Sequence, residues 1–256
     1  MRLYRYIYES FTEFMTPVTC HSFLLRAQPM DDEAQQVMDP LLEVTPSPDS
    51  MSVGTSAYSG VLHYGHVSGP HSRFGYRSTG LVRVTGRLRH DPCPNPVFSV
   101  HSNLCDFIPE MKSWCVCGTP LESALSMAAR IKQELRYSSG TTTVNTKASD
   151  AFVQGCGVCQ DFSHILISLC RECSIPSRYV CGLVVGEGET HAWVEIWSEG
   201  IWYGIDPTSG KQCDDRYIAL DFGRDASDCH VNRGVFTGVC TQKTETRVVV
   251  KEIDNQ

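Results

Sequence analysis

The sequence lacks a long apolar run. No segment approaches the ~18 apolar residues that suggest a membrane-spanning helix. Residues 1–10 alternate in polarity and carry charge early, without the apolar region or small-residue cleavage site of a secretory signal. We therefore expect a protein that stays in the cytoplasm and has no membrane partner.

An excess of basic charge is also missing. The chain has 22 Lys and Arg against 29 Asp and Glu, which gives a net charge of -7. A protein that holds nucleic acid through its phosphates needs a basic face. The balance therefore predicts no nucleic-acid partner.

The 13 cysteines do not form a regular framework, because their number is odd and their spacing irregular. A chain of 256 residues with 41% hydrophobic residues can bury a core without disulfide staples. We predict that most of the cysteines are reduced thiols and that many are small buried hydrophobic residues.

The first 92 residues show short apolar runs between glycines and prolines, which is typical of β structure, and no convincing helix. Prolines 40, 46 and 48 break up the segment that follows residue 38. The proline-dense stretch 90–96 marks the boundary between a β-rich N-terminal domain, residues 1–92, and a second domain, residues 93–256. The predicted elements of the first domain are strands at 2–8, 18–26, 59–64 and 80–88, and a short helix or loop at 28–38.

The second domain combines helical and strand patterns. A capping sequence at Thr119 to Glu122 and apolar residues at helical spacing predict a helix over 120–136. The remaining predicted elements are a loop at 137–150, strands at 178–185, 191–197 and 201–206, and a turn at 186–189.

Cys159 stands between a glycine-rich turn and an apolar run. Gly155 and Gly157 precede it, and apolar residues then recur at steps of three and four, which predicts a helix with one buried face. At the opening of a helix, free amide groups and the helix dipole favour thiolate over thiol. Cys159 is therefore a candidate nucleophile. The predicted buried face consists of Phe162, Ile165, Leu166, Leu169 and Cys173.

The strands at 191–197 and 201–206 are separated by Glu199-Gly200, a two-residue turn signal. A hairpin with this turn pairs Trp197 with Trp202 and Trp193 with Asp206. His191 then lies diagonal to Asp206 on the same face. A shift of one residue would put the two on opposite faces.

If this face packs near Cys159, a Cys-His-Asp triad results. Cys159 would attack a carbonyl carbon, His191 would accept the thiol proton and later protonate a leaving amine, and Asp206 would orient the imidazole. The backbone amide of Cys159 would be one donor to the oxyanion, and the sequence does not identify the second.

Four blocks in this order resemble the transglutaminase-like superfamily, and most closely its bacterial members with an appended β-rich N-terminal domain. The blocks are Gly157 to His164, Ile175 to Gly182, His191 to Glu195 and Gly204 to Thr208. The resemblance covers roughly residues 120–240. It implies an α+β fold with a papain-like core, catalytic Cys159, His191 and Asp206, and no metal or organic cofactor. The first half resembles these proteins only in general pattern, and Cys156 stands where the family would have another residue type.

Other readings of these residues remain open. Cys156 and Cys159 have the Cys-x-x-Cys spacing of a redox pair or of half a zinc site. Cys115 and Cys117 have the wrong spacing for the other half of a zinc site. Solvated loop residues are a better interpretation than a metal site for His63, His66 and His71. His164 is expected to be structural, and Trp193 to serve packing, although it could line the acyl site.

Three classes of function follow. The first is a thiol-dependent acyl-transfer enzyme that acts on peptide or isopeptide and γ-glutamyl amide bonds through a thioester intermediate. We expect a hydrolytic peptidase or amidase, with a protein-glutamine transglutaminase as the alternative. The second is a non-catalytic interaction module with a vestigial triad, and the third is a thiol-disulfide oxidoreductase. The oligomeric state stays open.

Overall fold

The computed structural model describes residues 1–253. Two large antiparallel sheets dominate these residues, and the helices pack on the second sheet. The strands are β1 Arg2–Leu25, β2 Gln35–Thr45, β3 Ser50–Thr55, β4 Val61–Val67, β5 His71–Val84, β6 Arg89–His90, β7 Arg136–Tyr137, β8 Cys156–Gly157, β9 Ser177–Val184, β10 Gly186–Gly188, β11 His191–Ser198, β12 Ile201–Asp206, β13 Lys211–Gln212, β14 Tyr217–Gly223, β15 Asn232–Thr237 and β16 Gln242–Glu252. The α-helices are α1 Pro120–Glu134, α2 Ala148–Gln154 and α3 Cys159–Glu172, with short 3-10 turns at Pro96–Ser99, Pro109–Trp114 and Ala226–Asp228.

The eight-stranded sheet is built around β1, which pairs with β5 and β16 along its first half and with β4 and β15 along its second. Alternate side chains of β1, including Tyr4, Tyr6 and Tyr8, are buried. The prediction of separate strands at 2–8 and 18–26 was wrong, because one strand continues through the gap. An irregularity between Glu13 and Val18 bends this strand.

The helix or loop predicted at 28–38 is a loop that leads into β2 at Gln35. Pro40 does not end β2, because it lies where the register with β5 shifts between Met38 and Leu41. The strands predicted at 59–64 and 80–88 are displaced, since β4 covers 61–67 and β5 covers 71–84. As predicted, residues 1–92 contain no helix.

The chain's last described strands return to the first sheet. β15 and β16 both pair with β1, and β10 pairs with β16. The predicted turn at 186–189 therefore contains a short strand. The division at residue 92 stays a prediction, but the sheet that holds residues 2–84 also holds 232–252.

The six-stranded sheet has the order β13-β12-β11-β9-β14, with β6 paired to β12. Helix α1 begins at Pro120 as predicted, and the Thr119 hydroxyl caps it by accepting from the Glu122 amide. The loop predicted at 137–150 was partly wrong, because α2 begins at Ala148. A distant residue fixes that start, since Asp106 accepts from the amide and hydroxyl of Ser149.

Helix α3 lies at the centre of the second half. It packs on β9 and β11, and α1 and α2 pack against it. The predicted apolar face is buried from Phe162 to Leu169, while Cys173 is half-buried. No helix among residues 1–253 has the length and apolar character needed to cross a membrane.

Polar contacts join the two sheets. The side-chain amide of Gln35 pairs with the backbone of Ala219. Its nitrogen donates to the Ala219 carbonyl at 2.8 Å, and its oxygen accepts from the Ala219 backbone amide at 2.9 Å. Arg26 and Asp221 form a buried ion pair at 2.7 Å. These contacts fix the first sheet beside the second, so residues of both surround one cleft.

Candidate active site

Cys159 is the first residue of α3, and a carboxylate fixes the turn that precedes it. Asp161 folds back so that Oδ2 accepts from the Val158 amide at 2.8 Å and from the Thr142 hydroxyl at 2.7 Å. A Cβ at Gly157 would lie 2.7 Å from Cβ of Asp161, so this close approach requires glycine. Sequence reasoning missed Asp161, although its place in the first helical turn was a usable capping signal.

The hairpin that carries His191 and Asp206 has the predicted register. Trp197 pairs with Trp202, and Glu199 and Gly200 both have positive φ, 52° and 84°. Nε2 of His191 lies 3.1 Å from Oδ2 of Asp206. The hairpin therefore brings the predicted imidazole and carboxylate into hydrogen-bonding contact.

Asp206 is buried and held by three donors. Besides His191, the Thr208 amide donates to Oδ1 at 2.7 Å and the Tyr217 hydroxyl donates to Oδ2 at 3.0 Å. Burial acts to raise the pKa of Asp206, but the bonds from His191, Thr208 and Tyr217 outweigh it and hold the pKa below its usual value. Asp206 is thus kept as a carboxylate. No local sequence pattern predicted a role for Tyr217, which lies on β14.

His191 connects Asp206 to Cys159. Burial acts to lower the pKa of His191, but the hydrogen bond to Asp206 and the interactions with the neighbouring Cys159 raise it to about 10. The imidazole is therefore positively charged at neutral pH. Because Nε2 is engaged by Asp206, Nδ1 is the nitrogen left for the thiol.

Tyr137 is a further neighbour of Cys159 that the sequence placed in a loop. The bridge between β7 and β8 pairs Tyr137 with Gly157, and the ring packs edge-on against Phe162 at 6.0 Å between centroids. Tyr137 and Cys159 line one cleft, and burial followed by the charge of Cys159 raises the pKa of Tyr137. A neutral phenol therefore lies beside the helix start.

Cys159 and His191 open into one cleft of about 640 Å³. Tyr137 and Tyr179 form part of its lining, and the segment from Ala226 to Asn232 forms another wall. Trp193 is not part of this lining. It packs against Tyr217 with 5.4 Å between ring centroids and lines a separate cavity of about 190 Å³, so its observed role is packing.

The other histidines have structural positions. His164 is fully buried, its Nε2 accepts from the Ala226 amide at 3.1 Å, and burial lowers its pKa to about 4. This confirms the structural interpretation of His164. The interpretation of His63 and His71 as solvated loop residues was wrong, because both lie on strands and are buried, and His71 contacts His21 at 3.2 Å. His66 is half-buried and contacts the Ser22 hydroxyl.

Residues 1–253 contain no group of three or more His, Cys, Asp or Glu placed to hold a metal ion. All 13 cysteines lie in this part of the chain and are free thiols. Cys156 is buried in β8.

A helix that begins with a cysteine and packs on an antiparallel sheet carrying a histidine and an aspartate defines an α+β protein with a papain-like core. Sequence comparison gives the family. The transglutaminase-like superfamily pattern matches residues 115–207, and the bacterial transglutaminase-like N-terminal region matches residues 4–83. The chain belongs to the transglutaminase-like superfamily, with a bacterial transglutaminase-like N-terminal region.

The chain is also similar to individual proteins. A protein of Mycobacterium leprae described as uncharacterised is 36% identical over 129 residues, which is 46% of each chain. An uncharacterised protein of Mycobacterium tuberculosis is 26% identical and covers 81% of this chain and 79% of its own. A solved structure from Cytophaga hutchinsonii, provisionally described as a cysteine protease, has the same fold, with a TM-score of 0.82, 22% identity, and coverage of 100% of this chain and 92% of its own.

Proposed function

We propose that this protein is a thiol-dependent acyl-transfer enzyme that hydrolyses a peptide or protein amide through Cys159, His191 and Asp206. One observation carries the proposal: the imidazole that hydrogen-bonds Asp206 lines the same open cleft as Cys159, and Asp206 and Cys159 together raise its pKa. A vestigial site would not need to keep the hydrogen bond between His191 and Asp206 at the cleft that holds the thiol.

In the proposed first step, the sulfur of Cys159 attacks the amide carbon while His191 carries the proton. The carbonyl oxygen becomes an oxyanion, for which the Cys159 amide is one donor and the Tyr137 hydroxyl the second. The imidazolium then gives its proton to the leaving nitrogen, the C–N bond breaks, and an amine departs. The product on the enzyme is a thioester.

In the second step, neutral His191 removes a proton from water, and the hydroxide attacks the thioester carbon. The C–S bond breaks, the acid is released, and the imidazolium and the thiolate are restored. An amine in place of water would give the transglutaminase reaction. We favour water as the second substrate, and the products of the experiment below distinguish the two reactions.

The test compares wild type with Cys159→Ala and with Cys93→Ala, a change at an exposed cysteine outside the cleft. A library of peptide amides is incubated with and without a primary amine, and mass spectrometry detects hydrolysed and amine-transferred products. We expect hydrolysis by wild type and Cys93→Ala, and no product from Cys159→Ala. Undiminished turnover by Cys159→Ala would contradict the proposal. If the amine-transferred product dominates, the reaction is transamidation and not hydrolysis.

Iodoacetamide labelling separates this enzyme from a disulfide oxidoreductase. If His191 holds the thiol as an ion pair, His191→Ala slows labelling of Cys159 at pH 7 about tenfold or more. A redox pair of Cys156 and Cys159 predicts little dependence on His191.

A further inference from the structure

A further cavity, of about 450 Å³, lies in the first sheet beside the irregular segment of β1. Its walls come from β1, β5, β15, β16 and the connection between the last two strands. We call it the aromatic groove. Its lining residues are Thr12, Phe14, His21, Phe74, Asn232, Gly234, Phe236, Cys240, Gln242 and Thr244.

The aromatic groove adjoins the active-site cleft at Asn232. Asn232 lines both cavities, and it is the first residue of β15. Before it, Ala226 and the residues from Cys229 to Val231 line the cleft at Cys159, while Gly234 and Phe236 after it line the groove. A single stretch of chain thus leads from the thiol to the groove, as expected if one extended ligand occupies both.

The floor of the groove is a cluster of rings. Phe14 lies 5.0 Å from Phe236 and 5.8 Å from His21, and His21 lies 4.4 Å from Phe74. These contacts are edge-on or tilted, which are geometries that aromatic pairs favour.

No lining side chain carries a formal charge once His21 is neutral. Burial first, and then the neighbouring His71 and His66, lower the pKa of His21 to about 4, so its imidazole is uncharged at pH 7. The polar groups of the rim are neutral hydroxyls and amides, among them Thr12 and Thr244, which hydrogen-bond each other at 2.8 Å. An uncharged ring-lined groove with a polar rim suits an apolar aromatic group attached to a polar backbone.

We propose that the aromatic groove binds an aromatic side chain of the same peptide whose amide is attacked at Cys159. The proposal rests on the function proposed above and gives the first sheet a role in substrate selection. The peptide would extend from the cleft past Asn232 and seat a Phe, Tyr or Trp side chain against the rings.

The test uses a substitution at the rim that fills the groove. Thr244 and Lys243 are both exposed neighbours on β16, but alternation along the strand turns Thr244 into the groove and Lys243 to the opposite face. Thr244→Trp fills the groove, Lys243→Trp is the matched control, and Phe236→Ala removes part of the wall without adding bulk. Thermal unfolding checks that each variant is folded.

Each protein is assayed with peptide amides in which Phe replaces Ala at one position at a time, up to about five residues on either side of the cleaved amide. We expect wild type and Lys243→Trp to prefer Phe by about 10- to 100-fold in kcat/KM at one position. Thr244→Trp and Phe236→Ala should reduce that ratio to below about threefold. An absent preference, or one that survives both variants, would overturn the proposal.

A binding assay distinguishes failure of the groove from failure of the reaction. Fluorescein-labelled forms of the same peptides are titrated with Cys159→Ala protein and with Cys159→Ala/Thr244→Trp protein. Phe-dependent binding that Thr244→Trp weakens by about tenfold supports the groove even if wild type cleaves no peptide. Turnover without any aromatic preference contradicts only the proposal for the groove. If the protein shows no turnover and no Phe-dependent binding, both proposals are contradicted.

Discussion

The Tyr217 hydroxyl donates to Oδ2 of Asp206 at 3.0 Å, and this oxygen also contacts Nε2 of His191. Tyr217 therefore acts on the imidazole through the carboxylate. Its ring centroid lies 6.2 Å from that of His191, so it also limits how the imidazole can tilt. The residue is a positioning group that lies beyond the three residues predicted from sequence.

We expect Tyr217→Phe to lower kcat about three- to tenfold, with a smaller effect on KM. The variant keeps the ring but loses the bond that helps to hold down the pKa of Asp206, so that pKa rises and the acid limb of the pH profile moves to higher pH. Steady-state kinetics across pH measure both effects. Tyr203→Phe, at a half-buried tyrosine of β12, is the control, and an acid limb that does not move would contradict the positioning role.

The raised pKa of His191 gives a pH dependence of stability with a defined sign. Its pKa is about 10 in the folded protein against 6.5 for an ordinary histidine, so the folded state binds the proton more tightly. The stability that this adds is fully present below pH 6.5 and is lost as the pH rises through about 10. Urea unfolding of wild type and His191→Gln should differ most at the lower pH values, and a difference that grows with pH would contradict the assignment.

Tyr137→Phe tests the second oxyanion donor. The ring contact with Phe162 remains, but the hydroxyl beside Cys159 is removed. We expect kcat to fall about 100-fold or more with little change in KM, because an oxyanion donor acts mainly on the transition state. Tyr64→Phe, at an exposed tyrosine of β4, is the control. Equal losses in both variants, or a loss confined to KM, would argue against this role.

Local patterns predicted the elements that carry the candidate site. The turn at Glu199-Gly200 determines the hairpin register, and the periodicity after Cys159 predicts a buried helix, because both signals lie within a few residues of the structure that they specify. Tyr137 and Tyr217 could not be found in this way. Each reaches the site through pairing with a strand distant in sequence, from β7 to β8 and from β14 to β9.

The same limit explains the errors in the first half. Glycine and proline spacing predicted β structure correctly, but strand bounds depend on partners that include β15 and β16 from the far end of the chain. His71 looks like a loop residue from its neighbours in sequence. It is buried because β5 pairs with β1 at His71 and Val18.

Glu195 lies on the same strand as His191, but its role is structural and not catalytic. It is buried, Oε1 accepts from Arg89 at 2.7 Å, and Oε2 accepts from Arg178 at 2.7 Å. Arg178 stacks over Trp202 at 4.1 Å from the ring centroid, so its guanidinium cannot turn to solvent without breaking this packing. Removing the carboxylate would leave two buried cations without their shared partner.

We therefore expect Glu195→Gln to lower the free energy of unfolding by about 3–5 kcal/mol. Glu187→Gln is the matched control, because Glu187 forms an exposed ion pair with Arg247, and its loss should cost less than about 1 kcal/mol. Urea denaturation measures both variants. Alkylation of Cys159 in the folded fraction of Glu195→Gln should proceed at the wild-type rate, and a slower rate without loss of stability would assign Glu195 to the site instead of the fold.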